Sequence, residues 1–405
     1  MRNPALASFA CVLLAGVAPS QHLPVAAVGI HDVAWANTSG FGTPVLAARV
    51  YYPAVMAGFD APPQTCSGGW PTIVFLHGYS FLGSDYPVIA DTLTNAGYVA
   101  VMLDTAQYSY VDLTDDARAI FAATLAANQD GNSLLFGMVD VDRIGLLGHS
   151  MGGAVAGYAL YDNPNYPEHN PGYRCGLALA PVDPGAAAAG SVVVPFGIVA
   201  GEGDAVTPVA QHALPYYQAL APEQGIKFCY LMDSACGHMN VAGLDPAAPA
   251  VFARSLRIVT GFFGQFLGND MQGLEPVLGP DGLGESHLSV VHRQVVTPQI
   301  WSEVDLQLGA VVRVSLIAES GLCGVLAASD LVPVPLPTLI GDLLLDPTSA
   351  FPVTQTVLHG DRLDLWIAVP DQETFVGSAF ALQGVGATVA SPFRLGSALR
   401  LTVAR

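Results

Sequence analysis

Arg143-Ile144-Gly145-Leu146-Leu147 runs directly into Gly148-His149-Ser150-Met151-Gly152-Gly153, and that corner into Ala154-Val155-Ala156-Gly157-Tyr158-Ala159-Leu160. An apolar run, a glycine-flanked corner and a small-residue stretch read as a buried strand, a tight turn and a helix. A G-x-S-x-G spacing at such a corner holds its serine on a strained strand-to-helix turn. With no Cβ at Gly148 and Gly152, strand and helix can close on each other. Ser150 meanwhile takes a backbone conformation that is costly for most residues. The corner commits the chain around it to strand–turn–helix units and marks Ser150 as a candidate nucleophile.

The flanking sequence repeats that unit. Candidate strands are Leu46–Tyr52, Thr72–His77, Val99–Asp104, Arg143–His149, Gly176–Pro181, Val192–Ala200 and Ile226–Met232. Runs such as Thr72-Ile73-Val74-Phe75-Leu76 suit strands covered on both faces, as in a parallel sheet. Helix-like stretches lie between them at Tyr86–Asn95, Asp115–Ala127, Met151–Leu160, Val209–Leu220 and Pro249–Phe266. Thr114-Asp115-Asp116 suits an N-cap with an acidic first turn, and Pro249 a first helical position. The expected class is α/β, a doubly wound and mostly parallel sheet. Residues 269–285, rich in glycine, proline and acid, read as a linker. After it come short β-rich runs from Leu288 to Val403 with turn signals such as Asp346-Pro347, which predict a smaller all-β, sandwich-like domain over residues 286–405. The catalytic domain is expected over residues 21–268.

Composition removes several function classes. The 405 residues carry a net charge of −19, and Lys227 is the single lysine, so there is no basic footprint for nucleic acid or an anionic membrane. With 52% hydrophobic and 12% charged residues, a large core is easily built. Arg2, the apolar stretch Ala5–Gly16 and Ala18-Pro19-Ser20 before Gln21 form an export pattern. Residues 1–20 are therefore expected to be a signal peptide. No transmembrane segment is expected after its removal, and the location is secreted, periplasmic or cell-surface. Removal of that segment leaves Cys66, Cys175, Cys229, Cys236 and Cys323. Export permits disulfides, with Cys229–Cys236 the favoured pair and Cys66–Cys175 the next. No cysteine or histidine spacing fits zinc, and neither a metal nor a cofactor is expected.

A nucleophilic serine needs a base, and the base an orienting acid. Asp204 lies on the loop after the run Val192–Ala200, and His238 on the loop after Ile226–Met232, in the order Ser, Asp, His. Glu202 and Asp183 are weaker candidates for the acid, and Asp233 reads as a turn residue. His149 neighbours the nucleophile, but its side chain should point off the corner; His212 falls on a helix. The backbone N–H of Met151 and that of Tyr79, in His77-Gly78-Tyr79-Ser80, are the expected oxyanion donors. The side chains of Tyr79 and Met151 are expected to face the substrate as well.

With these residues placed, the stretch from Leu46 to Phe266 resembles the α/β-hydrolase superfamily. Phe75-Leu76-His77-Gly78-Tyr79, Asp142-Arg143-Ile144 leading into Gly148–Gly153, Gly203-Asp204 with Thr207-Pro208, and Gly237-His238 are similar to the branch of cutinase-like polyester hydrolases and chlorophyllases. The resemblance implies a secreted serine carboxylesterase acting on a small-molecule, lipid or polyester ester through an acyl-enzyme on Ser150. A lipase or acetylhydrolase is the alternative within enzymes. A surface-binding protein with a vestigial hydrolase domain is the alternative outside them. Polyester hydrolases of this branch carry a tryptophan where this chain has Val182, after Pro181, so Val182 is expected to shape the substrate site and weaken the grip on an aromatic ring. The C-terminal domain resembles β-rich modules of secreted bacterial proteins, which implies contact with a cell surface or glycan at most.

Overall fold

The computed structural model describes residues 24–405 apart from 162–169, 224, 269–272, 280–283, 285, 303–305, 320, 339–340, 359–361 and 389–392. The expected signal peptide lies outside the described residues. The chain divides into two compact units, one built from the described residues up to Glu223 together with Lys227–Arg293, the other from Gln294–Arg405 with Gly225 and Ile226.

The first unit is an α/β unit. In chain order it contains β1 (Ala27–Ala36), β2 (Val45–Ala54), β3 (Gly58–Phe59), β4 (Trp70–Leu76), α1 (Pro87–Asn95), β5 (Val99–Leu103), α2 (Tyr110–Gln129), β6 (Val139–His149) and α3 (Met151–Ala159). It continues through β7 (Gly176–Leu179), α4 (Ala186–Ala189), β8 (Phe196–Gly201), α5 (Ala213–Ala219), β9 (Ile226–Met232, all but Ile226), α6 (Pro249–Phe263), α7 (Glu275–Leu278) and β10 (Leu288–Val295, as far as Arg293). The sheet order is β10-β9-β8-β7-β6-β4-β5-β2-β1-β3. Strands β5, β4, β6, β7, β8 and β9 run parallel, while β2 pairs antiparallel with β5 and β1 with β2. Every residue of β4, β5, β7, β8 and β9 is buried, as their unbroken apolar sequences require. The chain steps outward from β4 to β5, then crosses back to β6 on the other side of β4. Loops leaving β4 and β6 therefore diverge, and open a crevice at the carboxyl ends of the strands.

Several boundaries differ from the expectations, each for a local reason. Helix α2 begins at Tyr110, capped by the Ser109 hydroxyl, which accepts from the Asp112 N–H at 3.1 Å. Asp116, expected in the first turn, is instead buried and accepts from the Thr43 N–H, the Thr43 hydroxyl and the Thr105 hydroxyl. Strand β8 begins at Phe196, after Pro195, which lacks the N–H a central strand needs. Strand β1 carried too weak an alternation to be noticed. The described part of the expected linker contains α7, whose Pro276, Val277 and Leu278 are buried and whose Glu275 pairs with Arg257 of α6 at 2.7 Å. Strand β10, expected to open the C-terminal domain, is an edge of the α/β sheet beside β9.

No disulfide joins the described cysteines, which corrects both expected pairs. Cys229 points into the core from the middle of β9, and Cys236 packs directly over the backbone of Gly201. Burial pushes the Cys236 thiol up to about 12 and that of Cys229 higher still, so both stay protonated.

The second unit is all β. Its strands are β11 (Gln299–Ser302), β12 (Leu306–Gln307), β13 (Val311–Ile317), β14 (Gly321–Ala328), β15 (Leu331–Thr338), β16 (Gly341–Leu345), β17 (Phe351–Leu358), β18 (Arg362–Ala368), β19 (Ala379–Thr388) and β20 (Arg394–Ala404). They form sheets ordered β11-β13-β18, β12-β20-β19-β14-β17 and β15-β16. The first two sheets meet where Leu316 of β13 packs on Gly384 of β19, a position at which a Cβ would lie 2.6 Å from the leucine Cδ1.

Candidate active site

Ser150 sits between β6 and α3 with φ 55° and ψ −115°, a left-handed conformation that costs a non-glycine residue of order 1–3 kcal/mol. The corner is this tight because a Cβ on Gly148 would lie 2.1 Å from the Gly152 carbonyl oxygen, and one on Gly152 equally close to that of Leu76. The strain thus lifts one hydroxyl to the mouth of the β4–β6 crevice.

Two other loops bring side chains to it. The loop after β9 carries His238, whose Nε2 lies 2.9 Å from the Ser150 Oγ. The loop after β8 carries Asp204, whose Oδ2 accepts from the His238 Nδ1 at 2.8 Å. All three side chains are buried. Desolvation alone would raise the Asp204 carboxyl, but hydrogen bonds from His238 and from the Thr207 hydroxyl and N–H overcome it and hold the group at about 2. The Val206 and Thr207 N–H groups both bond its Oδ1 at 2.8 Å, and the Thr207 hydroxyl bonds Oδ2 at 2.7 Å. Asp204 is thereby a fixed anion facing one edge of the imidazole, with the other edge turned to the serine. Such a chain can take a proton from Oγ and return it elsewhere.

The weaker candidates are engaged in other bonds. Asp183 accepts from the Gly185 N–H in a turn, Glu202 from the Ser289 hydroxyl, and Asp233 from the Ala235 N–H and the His287 ring. His212 receives the Asp183 N–H at 3.2 Å. His149 does point away from Ser150 Oγ. Its ring is enclosed between Tyr86 and His238, and burial first, then the neighbouring His238, holds it down to about 3, so it is neutral.

The loop after β4 runs beside the serine: a Cβ built on Gly78 would lie 3.5 Å from that of Ser150. His77 pins this loop to the one after β5, its ring nitrogens reaching the Thr105 carbonyl at 2.7 Å and the Gly78 carbonyl at 2.9 Å. The Ser80 N–H, in a residue at φ 68°, adds a bond to the Gln107 carbonyl at 2.9 Å. Tyr79 is 55% exposed and rests edge-on against Tyr108 at 5.3 Å. Met151, by contrast, is 0% exposed and belongs to the core cluster, so its side chain cannot form a substrate wall as expected. Val182 is half-buried, and its N–H bonds the Ser150 carbonyl at 3.1 Å. Two contributors were overlooked in the sequence. Thr207 carried a signal, a hydroxyl three residues after Asp204 as in a capping turn. Tyr86 carried none.

Residues 11–249 match a family model described as PET hydrolase-like. A bis(hydroxyethyl) terephthalate hydrolase of Streptomyces coelicolor is 28% identical over 211 residues, covering 51% of this chain and 60% of that relative. Cutinase 1 of Thermobifida cellulosilytica is 25% identical over 194 residues, 48% of this chain and 64% of its own length. A cutinase of Thermobifida fusca is likewise 25% identical over 194 residues, 48% of this chain and 56% of its own length. The chain thus spans about three fifths of the length of these curated relatives.

Proposed function

The chain belongs to the PET hydrolase-like family, and from that premise we propose that it is a secreted serine carboxylesterase. Ser150 Oγ attacks the ester carbonyl carbon while its proton passes to His238 Nε2. Asp204 holds the imidazole in the tautomer that can accept that proton and stabilises the imidazolium formed. The N–H groups of Tyr79 and Met151 receive the oxyanion. As the carbon–alkoxide bond breaks, His238 returns the proton to the leaving alcohol, which leaves an acyl group on Ser150. Water then attacks the acyl carbon, gives a proton to His238, and releases the acid and the free serine.

The observation that carries this reading is the unbroken chain from Ser150 Oγ to His238 to Asp204, at 2.9 and 2.8 Å, on a strained corner. Ser150→Ala is expected to abolish turnover of p-nitrophenyl butyrate with thermal unfolding nearly unchanged; retained turnover refutes the assignment. On the substrate, the half-buried Val182 beside the serine offers little area to an aromatic ring, so we expect short acyl esters to be turned over faster than terephthalate esters. Comparing p-nitrophenyl butyrate with a terephthalate diester tests this, and an acyl series from acetate to palmitate tests the lipase alternative, which would favour the long chains. Export is supported by the Ala5–Gly16 pattern. Surface contact by the β unit is supported by Trp366 of β18, a large aromatic residue that is 62% exposed.

A further inference from the structure

The mechanism above leaves His149 and Tyr86 unused, yet both are buried against it. The His149 Nε2 lies 3.0 Å from the backbone carbonyl of His238, its Nδ1 lies 2.9 Å from the Tyr86 hydroxyl, and that hydroxyl receives the Gly78 N–H at 3.1 Å. The direction of each bond is forced. A carbonyl only accepts, so Nε2 carries the ring hydrogen and the neutral ring's Nδ1 must accept. The Tyr86 O–H therefore donates to Nδ1, and its lone pair takes the Gly78 N–H. No member can be turned round without leaving a buried polar group unsatisfied, at a cost of about 1–3 kcal/mol.

This run of hydrogen bonds touches three of the four loops that build the site, all but the one that carries Asp204. Gly78 precedes the residue whose N–H is assigned to the oxyanion, His149 precedes the nucleophile, and the His238 carbonyl belongs to the base itself. We propose that Tyr86 and His149 are positioning residues that set the oxyanion loop and the base loop in register with the nucleophile, a role that rests on the assignment of Ser150, His238 and Tyr79 above. The packing agrees. Tyr86 stacks against Phe75 and Phe81 as well as His149, with ring centroids 4.6, 6.1 and 5.7 Å away, so its hydroxyl is aimed by three rings. Gly78 fits closely against the relay: a Cβ there would stand 3.2 Å from both His149 Nδ1 and Tyr86 Oη and would crowd both atoms. A merely structural buried histidine would need satisfied nitrogens, but not partners on two different catalytic loops.

The test uses the full chain with Tyr86→Phe, His149→Gln and His149→Phe. Steady-state kinetics on p-nitrophenyl butyrate are read together with the rate of labelling by a fluorophosphonate, each normalised to the folded fraction. Tyr86→Phe is expected to lower kcat about 10- to 100-fold with KM within about twofold, because a displaced oxyanion donor is felt in the transition state and little in the ground state. Labelling slows in parallel. Glutamine can place its amide N–H near the histidine Nε2 position, so His149→Gln should retain at least about tenfold more activity than His149→Phe. Folded Tyr86→Phe with kcat within about twofold of wild type overturns the relay and leaves the Ser150 assignment standing. Should Tyr86→Phe fail to fold, equal activity of the two His149 variants overturns it instead. Failure of the wild-type chain to label overturns the Ser150 assignment, and the relay with it.

Discussion

Lowering the pH from 7 to 5 should cost this protein stability through His149, a residue that takes no proton in the reaction. In the folded chain burial, then the nearby His238, hold its imidazole at about 3, against an ordinary value of 6.5. Between those values the unfolded chain binds a proton that the folded chain refuses. Stability conferred by this ring is therefore complete above pH 6.5, falls as the pH drops through the window, and levels off below about 3. Linkage puts the loss at roughly 0.2 kcal/mol at pH 7, about 2 kcal/mol at pH 5 and about 3 kcal/mol at pH 4. Glutamine at position 149 carries no such proton, and titrating groups remote from the ring are common to both proteins and cancel in their difference. Urea unfolding of wild type and His149→Gln at pH 7, 6, 5 and 4, followed by tryptophan fluorescence, isolates the ring. Wild type should lose about 2 kcal/mol more than the variant between pH 7 and pH 5. Equal losses would mean that water reaches the ring in the folded state, and that the neutral tautomer assigned to it is wrong.

Two further substitutions test the supports of the site. Thr207→Val keeps the backbone bond to Asp204 but removes the hydroxyl at 2.7 Å; kcat should fall roughly three- to tenfold, about 1 kcal/mol, and unchanged kcat would show that the hydroxyl does not orient the acid. Lys227 is buried on β9 and donates to the Leu220 carbonyl at 2.6 Å and the Tyr217 carbonyl at 3.3 Å, at the C-terminal end of α5. Lys227→Met should lower the unfolding free energy by about 1–2 kcal/mol with kcat retained. An unaltered midpoint in urea would count against the cap.

The strained corner at Ser150 was legible because its constraint is local. Gly148 and Gly152 are demanded by backbone atoms within a few residues or on the next strand, and any residue with a Cβ would be expelled. Asp204 and His238 were legible for a different reason: each follows an apolar run, and parallel strands deliver their exit loops to one edge. The expected Cys229–Cys236 bond failed because nearness in sequence says nothing of direction, and the pleat turns Cys229 into the core. Strand β1 was missed because its apolar residues do not alternate cleanly with polar ones, and helix α2 was started late because Ser109 gave no sign of outcompeting the acidic run that follows. The expected substrate wall at Met151 failed because the fate of a side chain at the start of a helix depends on the core beneath it.

The relay lay furthest from view. Its bonds join residues 63 and 89 apart in sequence, and each partner alone has an ordinary explanation as a core aromatic or a strand-end histidine. That contrast has a mechanistic consequence. Chemistry in this site requires four loops to agree in position to within a fraction of an ångström, yet each is attached to a different strand. The sheet sets where the loops emerge but not how their last peptide units turn. Hydrogen bonds between loops must do that, and buried ones with a single allowed direction leave the least slack. His77 with Thr105, and Gly78 through Tyr86 and His149 to His238, form such a set. Under the function proposed above, variation at Val182 would retune the ester that is accepted without loosening the atoms that react.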